Sequence, residues 1–131
     1  MNLFAILGAL NGFLAVALAA FGTHALVDTA NAAQMVSLQK AAHYQMVHAL
    51  ALLAAGWMAE ARPGKAARIA GWAFFFGIIF FCGAVYSIGF SGSRALAPAA
   101  PVGGTLLMVG WLTLALAAFR KKPFQKERRI E

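Results

Sequence analysis

Four apolar stretches, at about residues 3–22, 41–59, 69–90 and 100–119, contain no Asp, Glu, Lys or Arg and are separated by short polar segments. A helix needs about 20 apolar residues to cross a hydrocarbon core about 30 Å thick. Each stretch meets that length, so the pattern predicts four membrane spans, with connections short enough to make neighbours antiparallel. The fold class expected is therefore all-α, an integral membrane four-helix bundle. It forms one domain over residues 1–119, followed by a basic tail at 120–131. No basic segment precedes the first stretch, which reads as a retained span rather than a secretory leader.

The separating segments carry turn chemistry. Arg62-Pro63-Gly64-Lys65 is a tight polar turn, and Ser91-Gly92-Ser93-Arg94 with Pro98 and Pro101 parts the third span from the fourth. Residues 29–40 differ, having no Pro or Gly but two candidate caps, Thr29 and Asn31, and the apolar residues Met35, Val36 and Leu38. They predict a short interfacial helix running into the second span.

Charge adds orientation. Arg62, Lys65, Arg68 and six cations of the tail fall on one side of a four-span topology, against Lys40 and Arg94 on the other. Cytoplasmic loops retain positive charge, so both termini are expected in the cytoplasm of a multi-pass protein of the cell inner membrane. Of the aromatic residues, Trp57 and Trp72 are expected near the inner surface and Tyr44 and Tyr86 near the outer; Trp111, near mid-span, fits neither belt. The net charge of +7 does not make a nucleic-acid surface, because the cations sit at the ends of apolar runs rather than along a face. At 62% hydrophobic and 11% charged, the 131-residue chain is too apolar for a soluble domain. A single cysteine, Cys82, excludes an internal disulfide and a four-thiolate metal site.

In lipid, helices associate through close approach at small residues. Ala5, Gly8, Gly12, Ala15, Ala19 and Gly22 form such a stripe on the first span, with Gly8 and Gly12 in a GxxxG. The third span has Gly71, Gly77, Gly83 and Gly89, a spacing of six that drifts around the helix and predicts contacts on several sides. Phe74, Phe75, Phe76, Phe80 and Phe81 read as lipid-facing or gap-filling bulk.

Polar side chains within spans are the candidates for chemistry, because hydrocarbon penalises them unless they are paired. Asn11 reads as an interhelical hydrogen-bonding residue. In His43-Tyr44-Gln45-Met46-Val47-His48, Tyr44 and Gln45 lie one turn from His48, whereas His43 is about 140° around the helix from it. His24 closes the first span on the outer side, where it is expected within reach of His48, with Tyr86 approaching from the third span. The candidate cluster is therefore His24, Tyr44, Gln45, His48 and Tyr86. Two histidines and a tyrosine are also the makings of a metal site, an axial haem pair or a proton relay. Yet there is no HxxxH, no Cys-x-x-Cys-His and no carboxylate within a span. No metal, cofactor or catalytic residue is assigned, and Ser87, Ser91 and Ser93 have no carboxylate-oriented base to form a triad.

Several segments resemble the DUF423 family, whose animal relatives are called transmembrane protein 256. Ala20-Phe21-Gly22-Thr23-His24-Ala25-Leu26 is similar to its first motif, and Tyr44-Gln45 with His48-Ala49-Leu50 to its second. Phe81-Cys82-Gly83-Ala84-Val85-Tyr86 resembles the family's Phe-Ser-Gly-Ser-Leu-Tyr pattern, with Cys82 and Ala84 replacing its two serines. Pro101-Val102-Gly103-Gly104 followed by Gly110-Trp111 resembles its fourth-helix signature. The resemblance implies a four-helix membrane protein without an established activity, and places His24, Tyr44, Gln45, His48 and Tyr86 at motif positions.

The expected function is a non-enzymatic structural or accessory role, binding membrane lipids, a membrane-protein partner or further copies of the chain. The alternatives are a His-based metal or haem redox accessory protein and an oligomeric transporter of a small solute.

Overall fold

A computed structural model describes residues 1–120; the basic tail expected at 120–131 lies, apart from Arg120, outside the described residues. Four long helical rods make up the described residues. They are α1 (Leu3–Leu26), α2 (Ala32–Ala61), a third rod built of α3 (Lys65–Gly77), a π-helical turn (Ile78–Cys82) and α4 (Gly83–Ser91), and finally α5 (Ala99–Phe119). Three are long and apolar enough to cross a membrane: α1, the continuous Lys65–Ser91 rod and α5. The second predicted span is the exception. α2 has the length, but His43, Tyr44, Gln45 and His48 lower its apolarity. It is also the helix that touches every other one, so its polar side chains find partners inside the bundle.

The segment expected as a short interfacial helix running into the second span is helical and continuous with it, forming the beginning of α2. Asn31 accepts from the Gln34 amide at 2.9 Å, and the Gln34 side chain accepts from the Asn31 amide at 3.0 Å. This reciprocal cap satisfies two otherwise orphaned donors and starts the helix at Ala32. The added turns are held by Leu38, which is completely buried against Gly22 of α1 and Gly89 of α4.

The small-residue stripe of α1 faces α2. A Cβ on Gly8 would come 2.8 Å from the Ala49 carbonyl oxygen, a position only glycine can occupy at this approach. Gly12 is looser, 3.9 Å from the Ala49 Cβ; Ala15 is buried and Ala19 half-buried. Asn2 fastens the ends of the two helices, capping the Ala5 amide at 3.1 Å and donating to the Gly56 carbonyl at 3.0 Å.

The third rod changes partners along its length. Before the π-turn Phe74 and Gly77 lie against Gly110, Leu107 and Gly103 of α5; beyond it Gly89 lies against α2. Gly71 meets the Phe4 ring of α1, while Gly83 meets nothing within 4 Å. A π-turn inserts one residue per turn relative to an α-helix and so re-aims the helix beyond it. Here α4 leans toward α2 and makes little contact with the first half of α5. The main core lies below that divergence, around Leu52, Ala55, Phe74, Ile78, Cys82 and Leu107. Cys82 fills this core as a small buried side chain.

At one end of the bundle stand Asn2, the 62–65 turn and Arg120, joined by a hydrogen bond from the Arg62 guanidinium to the Arg120 carbonyl. This basic end also holds Lys65 and Arg68 at the start of α3.

Candidate functional site

The midsection of α2 sends two polar side chains in different directions. Gln45 is buried and faces α1 and α4. Its amide nitrogen donates to Asn11 Oδ1 at 3.1 Å, and its Oε1 accepts from the Tyr86 hydroxyl at 2.7 Å. The direction of this chain is set at its far end. The Leu7 carbonyl can only accept, so Asn11 turns its Nδ2 toward it, at 2.8 Å, and presents Oδ1 to Gln45. Each later link is fixed in turn, and α1, α2 and α4 are stitched together inside the bundle.

His48, one turn on, is buried and faces α5. Trp111 Nε1 donates to its Nε2 at 3.1 Å, and its Nδ1 lies 2.7 Å from the Tyr44 carbonyl. An indole N–H only donates and a carbonyl only accepts, so the imidazole is neutral with its proton on Nδ1. Aromatic rings surround it: Tyr44 stacked at 5.9 Å, Phe74 tilted at 5.9 Å, and Trp111 edge-on at 5.9 Å. Both nitrogens are occupied by the protein itself, leaving no lone pair for a metal.

The five candidate residues therefore divide. Gln45 and Tyr86 join directly, with Tyr86 turned inward to Gln45 rather than set at an outer rim; Tyr44 and His48 form a second group. His24 joins neither. It is exposed in the last turn of α1, and the antiparallel register that sets Gly22 against Leu38 and Gly8 against Ala49 places His48 about 18 Å further along the bundle. The expected approach of His24 to His48 fails because α2 begins several turns earlier than its apolar stretch does. Among the described residues no group of three or more His, Cys, Asp or Glu side chains is placed to hold a metal ion.

Two residues complete the site. Asn11 was legible as a polar residue mid-span. Trp111 was legible only as an anomaly, a tryptophan too deep for an interfacial belt; its N–H needed a partner at that depth, and His48 supplies it.

Two grooves flank α2. One, of about 380 Å³, lies between α1 and the third rod, backed by Asn11, Gln45 and Tyr86 and opening beside Gly83. The larger, of about 760 Å³, lies between α2 and α5, with Tyr44, His48, Thr105 and Trp111 among otherwise apolar walls. It occupies the space left where α4 departs from α5.

The family described as protein of unknown function (DUF423) matches residues 18–104, which takes in α2, the third rod and the groove-lining start of α5. The chain belongs to the DUF423 family. It is 41% identical over 120 residues to a UPF0382 membrane protein of Staphylococcus epidermidis, covering 92% of this chain and 98% of that one. A UPF0382 membrane protein of Haemophilus influenzae is 36% identical over 121 residues, covering 92% and 97%. No solved structure matches the chain. With three helices apolar enough to cross a bilayer, this DUF423 chain is a helical membrane protein like the relatives so named.

Proposed function

We propose that this DUF423 protein is a non-catalytic accessory component of the cell inner membrane, crossing it several times and working by binding lipid or a membrane partner. The observation that carries the reading is the saturation of the polar interior. Asn11, Gln45, Tyr86, His48 and Trp111 hydrogen-bond one another or the backbone, while apolar side chains such as Leu10, Phe13 and Val16 of α1 and Leu112 and Leu116 of α5 face outward. Such an arrangement holds helices together and offers surfaces for lipid and protein. The redox alternative draws no support from the geometry, since His24 stands apart and His48 is occupied. The transporter alternative draws none either, because the large groove is walled mostly by apolar side chains.

The test is the native mass of the protein extracted gently from its own membranes, together with an absorption spectrum of the same sample. Retained lipid or an added protein chain at fixed stoichiometry is expected. A bare, monomeric chain, or a coloured or metal-bearing one, overturns the reading. The positive charge of the basic end supports placing both termini in the cytoplasm. In a Cys82→Ala background, Ala95→Cys is then labelled by an impermeant maleimide on sealed cells and Lys65→Cys is not; the reverse pattern inverts the topology.

A further inference from the structure

We propose that the groove between α2 and α5 binds a neutral lipid through a carbonyl group, held by the Tyr44 hydroxyl. The inference rests on the accessory reading and names the ligand class and the place. The groove begins at Ala100 and Pro101 in the first turn of α5 and reaches Trp111, about 16 Å along the helix. Its volume of about 760 Å³ lies in the range of small-molecule sites. Within a bilayer a hollow with such apolar walls is poor space for water and is filled from the lipid phase.

The walls define the chemistry of the occupant. No Lys, Arg, Asp or Glu lines the groove, so a charged headgroup drawn into it would lose hydration without gaining a counter-charge. The cations at the start of α3 stand at the other end of the bundle, and Lys40 and Arg94, which belong to the groove's own end, are not among its lining residues. The polar groups that do line it are spoken for, with one exception. Trp111 gives its N–H to His48 and Thr105 gives its hydroxyl proton to the Pro101 carbonyl at 2.8 Å. Both His48 nitrogens are engaged. The Tyr44 hydroxyl bonds no other side chain among the described residues, and its ring, stacked on His48 and lying 4.9 Å from Phe81, is fixed at the groove. The site thus offers a long apolar trough with one free donor, which an acceptor on a neutral, elongated molecule satisfies. Carbonyls of that kind come from glyceride esters or from long-chain quinones.

The adjacent glycines of α5 supply a clean test. A Cβ on Gly103 would strike the Phe81 backbone, but one on Gly104 meets only the Phe81 ring at 3.8 Å, an ordinary contact, and Gly104 lines the groove. Gly104→Leu therefore occludes the trough while leaving the helix contact intact. The full-length protein, stripped of lipid in detergent, is titrated in separate arms with a diacylglycerol, a long-chain quinone and, as the charged comparison, phosphatidylglycerol. Native mass reads the bound species, and the unfolding midpoint of each variant checks its fold. One neutral probe is expected to bind at one per chain, which identifies its source. Its affinity falls about fivefold in Tyr44→Phe, the equivalent of one hydrogen bond. Binding is lost in Gly104→Leu and unchanged in Leu116→Phe, an outward-facing position on α5 beyond the groove. Equal or tighter binding of phosphatidylglycerol overturns the proposal, as does neutral-probe binding indifferent to Gly104→Leu. If neither neutral probe binds while the native complex still carries phospholipid or a protein chain, the groove assignment fails and the accessory reading stands.

Discussion

Gln45 and His48 are one turn apart on the same helix, both buried, and yet they belong to different kinds of structure. On the Gln45 side, three helices meet in a hydrogen-bond chain whose direction is set from the Leu7 carbonyl outward. On the His48 side a single bond reaches α5, to a tryptophan that is 46% exposed at the edge of an open groove. The first arrangement fixes the relative positions of α1, α2 and α4. The second fixes one wall of a groove. Polarity inside α2 thus serves two ends, cohesion on one face and a recessed surface on the other.

Separating the two sides experimentally begins with α5. Gly103→Ala places a methyl group against the Phe81 backbone, and overpacking at a contact with no flexible neighbour is expected to cost about 3 kcal/mol. Because it pries α5 from the third rod, it should break the His48–Trp111 bond and spare the Gln45 chain. Unfolding in mixed detergent measures the loss, and Trp111 emission in a Trp57→Phe, Trp72→Phe background reports the displaced helix. Gln45→Leu acts on the other side. It leaves Asn11 and Tyr86 without their partner and is expected to cost about 2 kcal/mol, with Trp111 emission unchanged. A double-mutant cycle with Asn11→Leu should then show coupling, since the two residues share one bond. The smallest effect is expected from His48→Leu, about 1 kcal/mol for one interhelical bond, accompanied by a change in Trp111 emission that Gln45→Leu does not produce. Equal costs at Gln45 and His48, or matching emission changes, would erase the distinction.

Much of the architecture was legible from the sequence because hydrocarbon imposes a length on any helix that crosses it. Stretches 3–22 and 100–119 correspond closely to α1 and α5, and 69–90 to the third rod. The beginning of α2 was legible as a helix running into the second span, but not as part of the same rod. Its apolar count starts at residue 41, whereas its true start is set by the Asn31 and Gln34 cap and by Leu38 packed between two glycines. That difference of about two and a half turns carried over to the site. Placing His24 and His48 at the same end took the end of the first stretch as level with the beginning of the second, and the longer α2 moves His48 deep into the bundle. Polarity alone identified Asn11, Gln45 and Tyr86 as residues needing partners, but which partner each takes depends on helix rotation and on the π-turn, for which hydrophobic periodicity gives no signal.

The buried polar side chains are engaged by one another or by the backbone, and His48 is the sharpest case. Nitrogen-15 magnetic resonance of the histidine-labelled protein in lipid bilayers, with His48 identified by its loss in His48→Leu, reads which ring nitrogen carries the proton. A neutral imidazole protonated on Nδ1, with an Nε2 acceptor signal that shifts in Trp111→Phe, is the expected result. A proton on Nε2, or a signal indifferent to Trp111, would contradict the assignment and return His48 to the set of residues free to act on a ligand.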